Sequence, residues 1–195
     1  MSEHSPSNEL EVKARVDDPA SLRRALERAG AELAFEGEMV DRRYDRKGRL
    51  AARDEVLRLR GFQPFRGAPA YGMLAWKGPA RSRGKYRHRE ELEARVPEPE
   101  AVQVILERLG FTVSLQIDRR VEIFRLGGAV LRIERYPDMD VLLEVEGEPP
   151  AIERAIAATG LPRERFLPES LPHFVHAYEA RTGKTARLAA GRPSP

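Results

Sequence analysis

The sequence has no cysteine and only one tryptophan among its 195 residues. The missing cysteine excludes disulfide frameworks, cysteine-ligated zinc sites and thiolate nucleophiles. No apolar run reaches transmembrane length, and the first eight residues contain no apolar core of a signal peptide. We therefore expect a cytoplasmic protein that does not bind a membrane.

Glycine-rich phosphate-binding motifs are also absent, because neither G-x-x-x-x-G-K-[ST] nor G-x-G-x-x-G occurs. Any bound phosphate would have to be held by side chains on rigid elements. The charge is nearly balanced, with 34 Lys and Arg against 31 Asp and Glu and a net charge of +3. This balance argues against a polybasic tail but leaves room for an anionic partner.

Lysine is scarce, since almost every cationic residue is arginine. The only lysines are Lys13, Lys47, Lys77, Lys85 and Lys184. Two of them, Lys13 and Lys77, fall inside predicted strands. Because lysine and arginine are not interchangeable in anion binding, these two positions are candidates for specific contacts.

Hydrophobic periodicity predicts two successive β-α-β-β-β units. The first has a helix at 19–30 and strands at 9–16, 36–45, 55–62 and 71–78. The second has a helix at 99–111 and strands at 86–96, 113–125, 129–136 and 140–147. Four segments of the first unit match segments of the second unit in the same order. The matching pairs are ELEVKARV with ELEARV, ALERAG with ILERLG, VDRR with IDRR, and VLRLR with VLRIE. The sequence therefore predicts an internal duplication with pseudo-repeats 9–80 and 86–148.

The rest of the chain predicts two C-terminal helices within 149–182, at 148–162 and around 170–182. One domain would then span 9–182, with disordered ends at 1–8 and 183–195. Two Gly/Pro-rich segments, 61–72 and 78–84, are predicted to be exposed loops.

One face of almost every predicted strand carries carboxylates and cations, while the other face is apolar. An open antiparallel sheet with its charged face in water would explain this pattern. Eight strands can also close into a barrel, which would turn the charged face inward. Because the predicted helices can cover the apolar face from outside, we predict an α+β fold with an eight-stranded antiparallel closed β-barrel, a charged tunnel and helices packed outside.

A tunnel with this lining has the chemistry of a polyphosphate site. Arginine makes bidentate contacts with phosphate oxygens. Carboxylates on strands suit a hard divalent cation such as Mg²⁺ or Mn²⁺. Together they provide the minimum set for phosphoryl or nucleotidyl transfer.

At these positions the sequence resembles the CYTH superfamily of triphosphate tunnel metalloenzymes, which includes class IV adenylyl cyclases, thiamine triphosphatases and inorganic or RNA triphosphatases. The hallmark E-x-E-x-K is present as Glu9-Leu-Glu11-Val-Lys13. Four further elements follow in order, namely Leu57-Arg58-Leu59-Arg60 for L-R-x-R, Lys77 for the tunnel lysine, Arg89-Glu-Glu91-Leu-Glu93 for R-x-E-x-E, and Glu144-Val-Glu146 for the closing E-x-E.

The resemblance implies a role for each matched residue. Glu9, Glu11 and Lys13 would be catalytic. The triphosphate would be bound by Lys13, Arg58, Arg60, Lys77, Arg89, Arg120 and Arg132. Mg²⁺ or Mn²⁺ would be held by Glu9, Glu11, Glu144 and Glu146, with Glu91 and Glu93 as supporting carboxylates.

The chain departs from the family pattern on two strands. Family members often have K-x-R on the sixth strand, where this chain has IDRRVEIF, so that Arg119 or Arg120 would supply the cation. Arg132 stands where many members have aspartate, and in the duplication it corresponds to Arg58. We expect this additional cation to favour a more anionic ligand or fewer metal ions.

The resemblance implies a divalent-metal-dependent hydrolase of inorganic triphosphate or of a small organic triphosphate. A class IV adenylyl cyclase that converts ATP to cyclic AMP and pyrophosphate stays open, as does a non-catalytic polyphosphate- or nucleotide-binding protein. The expected ligands are tripolyphosphate, thiamine triphosphate or ATP. Whether the chain forms a homodimer is also open.

Two other patterns favour less specific interpretations. His173 and His176 are three residues apart in a predicted helix, but no third metal ligand accompanies them. The basic segment 81–89, RSRGKYRHR, contains a single aromatic residue, so we interpret it as a loop beside the tunnel and expect no nucleic-acid partner.

Overall fold

The structure is a computed structural model that describes residues 7–83 and 86–190, with side chains from Leu10 onward except those of Ser82, Arg83 and Arg87. The helices in this part are α1 (Pro19–Arg28), α2 (Pro99–Arg108), α3 (Pro149–Thr159) and α4 (Leu171–Thr182). The strands are β1 (Ser7–Val16), β2 (Glu32–Asp45), β3 (Val56–Pro64), β4 (Tyr71–Lys77), β5 (Arg81–Arg83), β6 (Tyr86–Val96), β7 (Thr112–Leu126), β8 (Ala129–Arg135) and β9 (Val141–Glu146).

Each of these helices begins with a proline in its first turn, where a missing backbone N–H costs nothing. The helices α3 and α4 end at Gly160 and Gly183, which both adopt the left-handed conformation that glycine accepts most easily. None of the helices in the described residues is long and apolar enough to cross a membrane.

Eight of the described strands form a closed antiparallel barrel. Their order around it is β1-β9-β8-β7-β2-β3-β4-β6, and pairing between β1 and β6 closes the ring. The short strand β5 pairs with β6. The predicted closed barrel is therefore confirmed.

The two halves of the barrel have the same strand arrangement. The order β1-β9-β8-β7 corresponds to β6-β4-β3-β2 when β1 is matched with β6 and β2 with β7. Pairs β1–β6 and β2–β7 join the halves, so each junction joins equivalent strands. A duplicated unit would produce this arrangement, although the duplication itself stays a prediction.

The outer surface of the barrel is apolar and is covered by helices. Leu10, Val12 and Ala14 of β1 face outward and are at most 2% exposed beneath α1 and α3. Leu106 of α2 packs against Leu59 on the other side of the barrel. Because side chains alternate along a strand, the charged residues between these apolar ones point into the barrel.

Apolar side chains also fill part of the interior. Met39, Phe62 and Val121 pack together on the inward face, next in alternation to Asp41, Arg60 and Arg119. On the side of the barrel where β2 ends, Leu171 and Phe174 of α4 pack against Ile117, Tyr136 and Leu142. These two clusters confine the charged part of the interior.

The C-terminal segment differs from the prediction. The disordered tail was expected from residue 183, but the N–H of Asp118 donates to Leu188 O at 2.8 Å and Arg187 pairs with Asp138. The ladder between β7 and β8 starts at Arg120, so the edge at Asp118 is free to pair with the tail. The prediction is therefore wrong for residues 184–190, while residues 191–195 lie outside the described part.

The other differences are local. The predicted loop 61–72 begins later, because β3 continues to Pro64, and the predicted loop 78–84 contains strand β5. At the N-terminus, β1 begins at Ser7, and residues 1–6 of the predicted disordered segment lie outside the described residues.

Gly37 on β2 provides a test of how closely β2 and β3 pack. A Cβ atom at Gly37 would lie 2.3 Å from Gln63 O and 2.9 Å from Pro64 Cα, which are backbone atoms of β3. We expect Gly37→Ala to lower the free energy of unfolding by about 3 kcal/mol, measured by urea denaturation. Gly61→Ala is the control, because its nearest neighbours would be 4.0 Å away, and we expect a change below about 1 kcal/mol. Equal losses in both variants would contradict this account.

Candidate functional site

The charged interior encloses a cavity of about 430 Å³. Seven cationic side chains line it, namely Lys13, Arg43, Arg58, Arg60, Lys77, Arg89 and Arg119. The carboxylates in its lining are Glu11, Asp41, Asp45, Asp54, Glu55, Glu134 and Glu144. The charges are balanced in number but are not mixed evenly, because arginines dominate the wall formed by β2, β3 and β7.

The arginine wall is organised around one buried carboxylate, Asp41, which is 2% exposed. One oxygen, Oδ2, lies 3.3 Å from Arg119 Nη2, 3.5 Å from Arg60 Nε and 3.9 Å from Arg58 Nη1. Burial alone would raise the pKa of Asp41, but the surrounding arginines outweigh burial and lower it. A single carboxylate therefore faces several guanidinium groups, and the wall keeps an excess of positive charge.

This excess disfavours the charged state of Arg60 and Arg43. Burial and repulsion by Arg58 lower the pKa of Arg60 to about 10, despite the attraction of Asp41. Burial also lowers the pKa of Arg43, again with a contribution from Arg58. In the described part of the chain, the buried Nε atoms of Arg43, Arg60 and Arg119 make no hydrogen bond. Buried donors of this kind favour a ligand rich in anionic acceptors.

The opposite wall, formed by β1, β8 and β9, is acidic with one lysine. Lys13 Nζ lies 3.0 Å from Glu11 Oε2 and 2.5 Å from Glu144 Oε2. Burial would lower the pKa of Lys13, but these two carboxylates raise it above its ordinary value, so the ammonium stays charged. Nearby, the hydroxyl of Tyr136 donates to Glu134 at 2.6 Å, and Glu134 lies 3.3 Å from Arg119.

The carboxylates of β6 hold two of the cations. Glu91 contacts Lys77 Nζ at 2.8 Å through Oε2 and Arg58 Nη2 at 3.1 Å through Oε1. Glu93 lies 3.6 Å from the same Arg58 nitrogen and is half-exposed. This arrangement agrees with the predicted supporting role of the two residues, which stays a prediction.

Arg89 lies at the edge of the cavity beside a turn that the sequence did not predict. Its guanidinium donates to Asp54 Oδ1 at 2.6 Å and to Gly78 O at 2.9 Å. Asp54 adopts a left-handed conformation with φ of 52° and also accepts from the N–H of Ala80. The turn therefore fixes both Arg89 and the segment that follows β4.

Arg132 contacts the carboxylates that were predicted to bind metal. It donates to Glu144 Oε1 at 2.7 Å and to Glu146 Oε1 at 2.7 Å, and its Nη1 also contacts Glu146 Oε2. Because Lys13 contacts Glu144 Oε2, every oxygen of this pair already meets a protein cation. Glu144 and Glu146 as they stand therefore do not fit a resident divalent cation.

No group of three or more His, Asp or Glu side chains arranged to hold a metal ion occurs among the described residues. His173 and His176 on α4 are included in that statement. The side chain of Glu9 lies outside the described part, although its backbone pairs with Arg89. The predicted role of Glu9 and Glu11 as metal ligands thus stays a prediction, whereas Arg132 and Lys13 contact the oxygens of Glu144 and Glu146.

The predicted tunnel position of Arg120 is wrong. Its side chain is 69% exposed and lies 3.9 Å from Glu38 on the outside, whereas Arg119 is 7% exposed and faces inward. The alternation along β7 places Ile117, Arg119 and Val121 inside. Glu122 shares the outer face and pairs with Arg23 of α1. Because DRR has two successive arginines, either face of the strand would carry a cation. The sequence pattern alone therefore could not decide whether Arg119 or Arg120 points into the barrel.

Several charged lining residues were not predicted as site residues, namely Asp41, Arg43, Asp45, Asp54, Glu55 and Glu134. Asp41 and Arg43 share a face of β2, and the alternation in VDRRYD could have placed them in the tunnel together. Asp54 belongs to an irregular turn, and no periodic signal marks it.

Comparison with known proteins agrees with this geometry. The family model for the CYTH domain matches residues 7–168. The chain belongs to the CYTH family. Solved structures with the same fold include a Vibrio parahaemolyticus protein described as a "putative adenylate cyclase", with 20% identity, a TM-score of 0.72 and coverage of 88% of this CYTH chain and 99% of the other.

Two further CYTH-like structures resemble the chain. The PH1012 protein from Pyrococcus horikoshii has 22% identity and a TM-score of 0.66, with 85% of this chain and 98% of the other covered. A Hippeastrum "putative adenylyl cyclase", described as having a dominant triphosphatase activity, has 18% identity and a TM-score of 0.63, with 92% and 98% covered. None of the curated proteins searched matches this CYTH chain. At these identities the likeness shows the fold alone.

Proposed function

We propose that this CYTH protein hydrolyses inorganic triphosphate or a small organic triphosphate bound in the barrel cavity. The observation that carries the proposal is the buried arginine wall, in which Arg58, Arg60 and Arg119 share one carboxylate, Asp41. Positive charge of this density, with buried donors that make no hydrogen bond, matches a ligand with several anionic oxygens. The triphosphatase activity described for the Hippeastrum structure is consistent with this proposal.

The two walls suggest how the substrate lies. The arginine wall would contact the phosphate oxygens and stabilise the charge that develops on the transferred phosphoryl group. Lys13 belongs to the acidic wall and would reach a phosphate oxygen from that side. Its raised pKa keeps it charged for that contact.

The metal in this proposal arrives with the substrate. Tunnel enzymes of the CYTH family generally use divalent metal ions, and polyphosphates bind Mg²⁺ or Mn²⁺ through their oxygens. The acidic wall, with Glu11 and Glu134, would face the positive side of such a chelate. Metal dependence would then reflect the form of the substrate that the cavity accepts.

One assay separates the hydrolase from the alternatives. The protein is incubated with tripolyphosphate, thiamine triphosphate or ATP, each with Mg²⁺ or Mn²⁺, and orthophosphate, pyrophosphate and cyclic AMP are measured. We expect orthophosphate as the first product. Cyclic AMP with pyrophosphate from ATP would instead indicate a cyclase, and binding without any product would indicate a non-catalytic protein.

Tripolyphosphate should also stabilise the fold, because it relieves repulsion in the arginine wall. At a concentration 100-fold above its dissociation constant, a ligand adds about 2.7 kcal/mol to the free energy of unfolding. For a chain of this size we expect the melting temperature to rise by about 5–10 °C in differential scanning fluorimetry. Sulfate at the same ionic strength is the control, and an equal shift with sulfate would contradict a site shaped for a triphosphate.

A further inference from the structure

Arg132 occupies the centre of an acidic cluster in the second half of the barrel. Its two terminal nitrogens donate hydrogen bonds to the two carboxylate oxygens of Glu146 in a forked arrangement. One of these nitrogens also donates to Glu144 at 2.7 Å. The side chains of Arg132, Glu144 and Glu146 are 15%, 13% and 15% exposed. Because they are largely shielded from water, these ion pairs are only weakly screened.

A divalent cation at this pair would have to displace a protein cation. Both oxygens of Glu146 contact Arg132, while Glu144 is shared between Arg132 and Lys13. A metal ion beside the guanidinium would also meet a like charge at short range. Forked arginine–carboxylate pairs are among the strongest charge-assisted contacts, so Glu146 is withdrawn from metal binding.

The shape of the cavity agrees with this. Glu11, Lys13 and Glu144 line it, but among the described residues Arg132 and Glu146 do not. Arg132 shares a face of β8 with the lining residue Glu134, and Glu146 shares a face of β9 with Glu144, so the forked pair lies inside the barrel next to the cavity. There Arg132 contacts one oxygen of Glu144, while Lys13 contacts the other.

We propose that Arg132 is a resident cation that takes the place of a divalent metal ion at Glu144 and Glu146. The protein then accepts only the metal that a triphosphate brings with it. This inference rests on the proposed function for its role in catalysis, but the state of the carboxylate pair can be tested without any triphosphate.

The test is a titration of the protein with Mn²⁺ alone, followed by electron paramagnetic resonance of free Mn²⁺. We expect the unaltered protein to show no site tighter than about 1 mM. Arg132→Met should create one Mn²⁺ site that binds at least about 10-fold tighter, because the carboxylates lose their competing cation. Arg120→Met is the matched control, since it removes an arginine outside the barrel, and it should behave like the unaltered protein.

A second substitution identifies the ligands. Adding Glu146→Gln to Arg132→Met should abolish the new Mn²⁺ site. If Arg132→Met does not fold, as judged by circular dichroism, Arg132→Gln carries the same test, because it keeps a hydrogen-bond donor beside Glu146 and removes the charge.

Two results would overturn the inference. One is a tight Mn²⁺ site in the unaltered protein that Glu146→Gln weakens, since Glu146 would then already be a metal ligand. The other is a folded Arg132→Met or Arg132→Gln protein that binds Mn²⁺ no better than the unaltered one. Failure of the triphosphatase assay would leave both measurements interpretable.

Discussion

Replacing Arg119 with glutamine should lower the affinity for tripolyphosphate about 100-fold, whereas the same change at Arg120 should leave it within about two-fold. Arg119 and Arg120 are adjacent on β7, yet Arg119 is 7% exposed and contacts Asp41, while Arg120 is 69% exposed. Solvent weakens the contact of a buried guanidinium with phosphate only slightly. Removing a buried arginine therefore costs more binding free energy than removing an exposed one. Isothermal titration calorimetry of both variants measures the difference.

The pair of variants controls for net charge, because each removes one positive charge from the same strand. Arg119→Gln also removes contacts to Asp41 and Glu134, so the melting temperature of the free variant must show that it is folded at the temperature of the titration. Equal losses of affinity in the two variants would show that tripolyphosphate binds to the outer surface and not in the cavity.

Replacing Asp41 with asparagine should lower the free energy of unfolding by about 3 kcal/mol, or the melting temperature by roughly 10 °C. The change leaves Arg58, Arg60 and Arg119 facing one another without their shared counterion. Glu38→Gln is the control, because Glu38 lies on the same strand with its side chain 56% exposed and should cost below about 1 kcal/mol.

The same variant should bind tripolyphosphate more tightly than the unaltered protein, because the carboxylate that Arg58, Arg60 and Arg119 share no longer competes with the phosphate oxygens. A less stable Asp41→Asn protein that binds tripolyphosphate more tightly would show that Asp41 acts as a counterion. A residue that only packs would affect stability without raising the affinity. Loss of both would contradict the role assigned to Asp41.

The effect of Asp41 has a defined pH dependence. Its pKa in the folded protein is lowered, so its contribution to stability is present above the ordinary pKa of an aspartate and is lost as the pH falls through the lowered value. The melting temperatures of the unaltered protein and Asp41→Asn should therefore converge in acid and be furthest apart near neutral pH.

The fold was predictable from the sequence because the alternation along the strands and the apolar stripes of the helices agreed with each other. Alternation of charged and apolar residues in strands such as 9–16 placed one face inside, and the helices had apolar stripes to cover the other. Closure required a further argument, namely that charges on nearly every strand would otherwise leave one whole sheet face polar. Its confirmation comes from the β1–β6 pairing.

The site was predictable only where the strand register was certain. Lys13, Arg58 and Arg60 lie in clearly alternating strands, Lys77 follows an apolar run on β4, and all four line the cavity. On β7 two successive arginines fit either register, and the choice of Arg120 placed the cation on the wrong face. The contact of Asp118 with Leu188 is distant in sequence and forms because the edge of β7 is unpaired at Asp118. Local sequence patterns do not indicate which strand edges stay unpaired.

The most direct test of the central claim is a crystal structure of the protein with tripolyphosphate and Mg²⁺. We predict that the phosphate oxygens lie within hydrogen-bonding distance of Arg60, Arg119 and Lys13, with Asp41 still between the arginines. Tripolyphosphate bound on the outside of the barrel, with the contacts of Lys13 to Glu11 and Glu144 unchanged, would contradict the account.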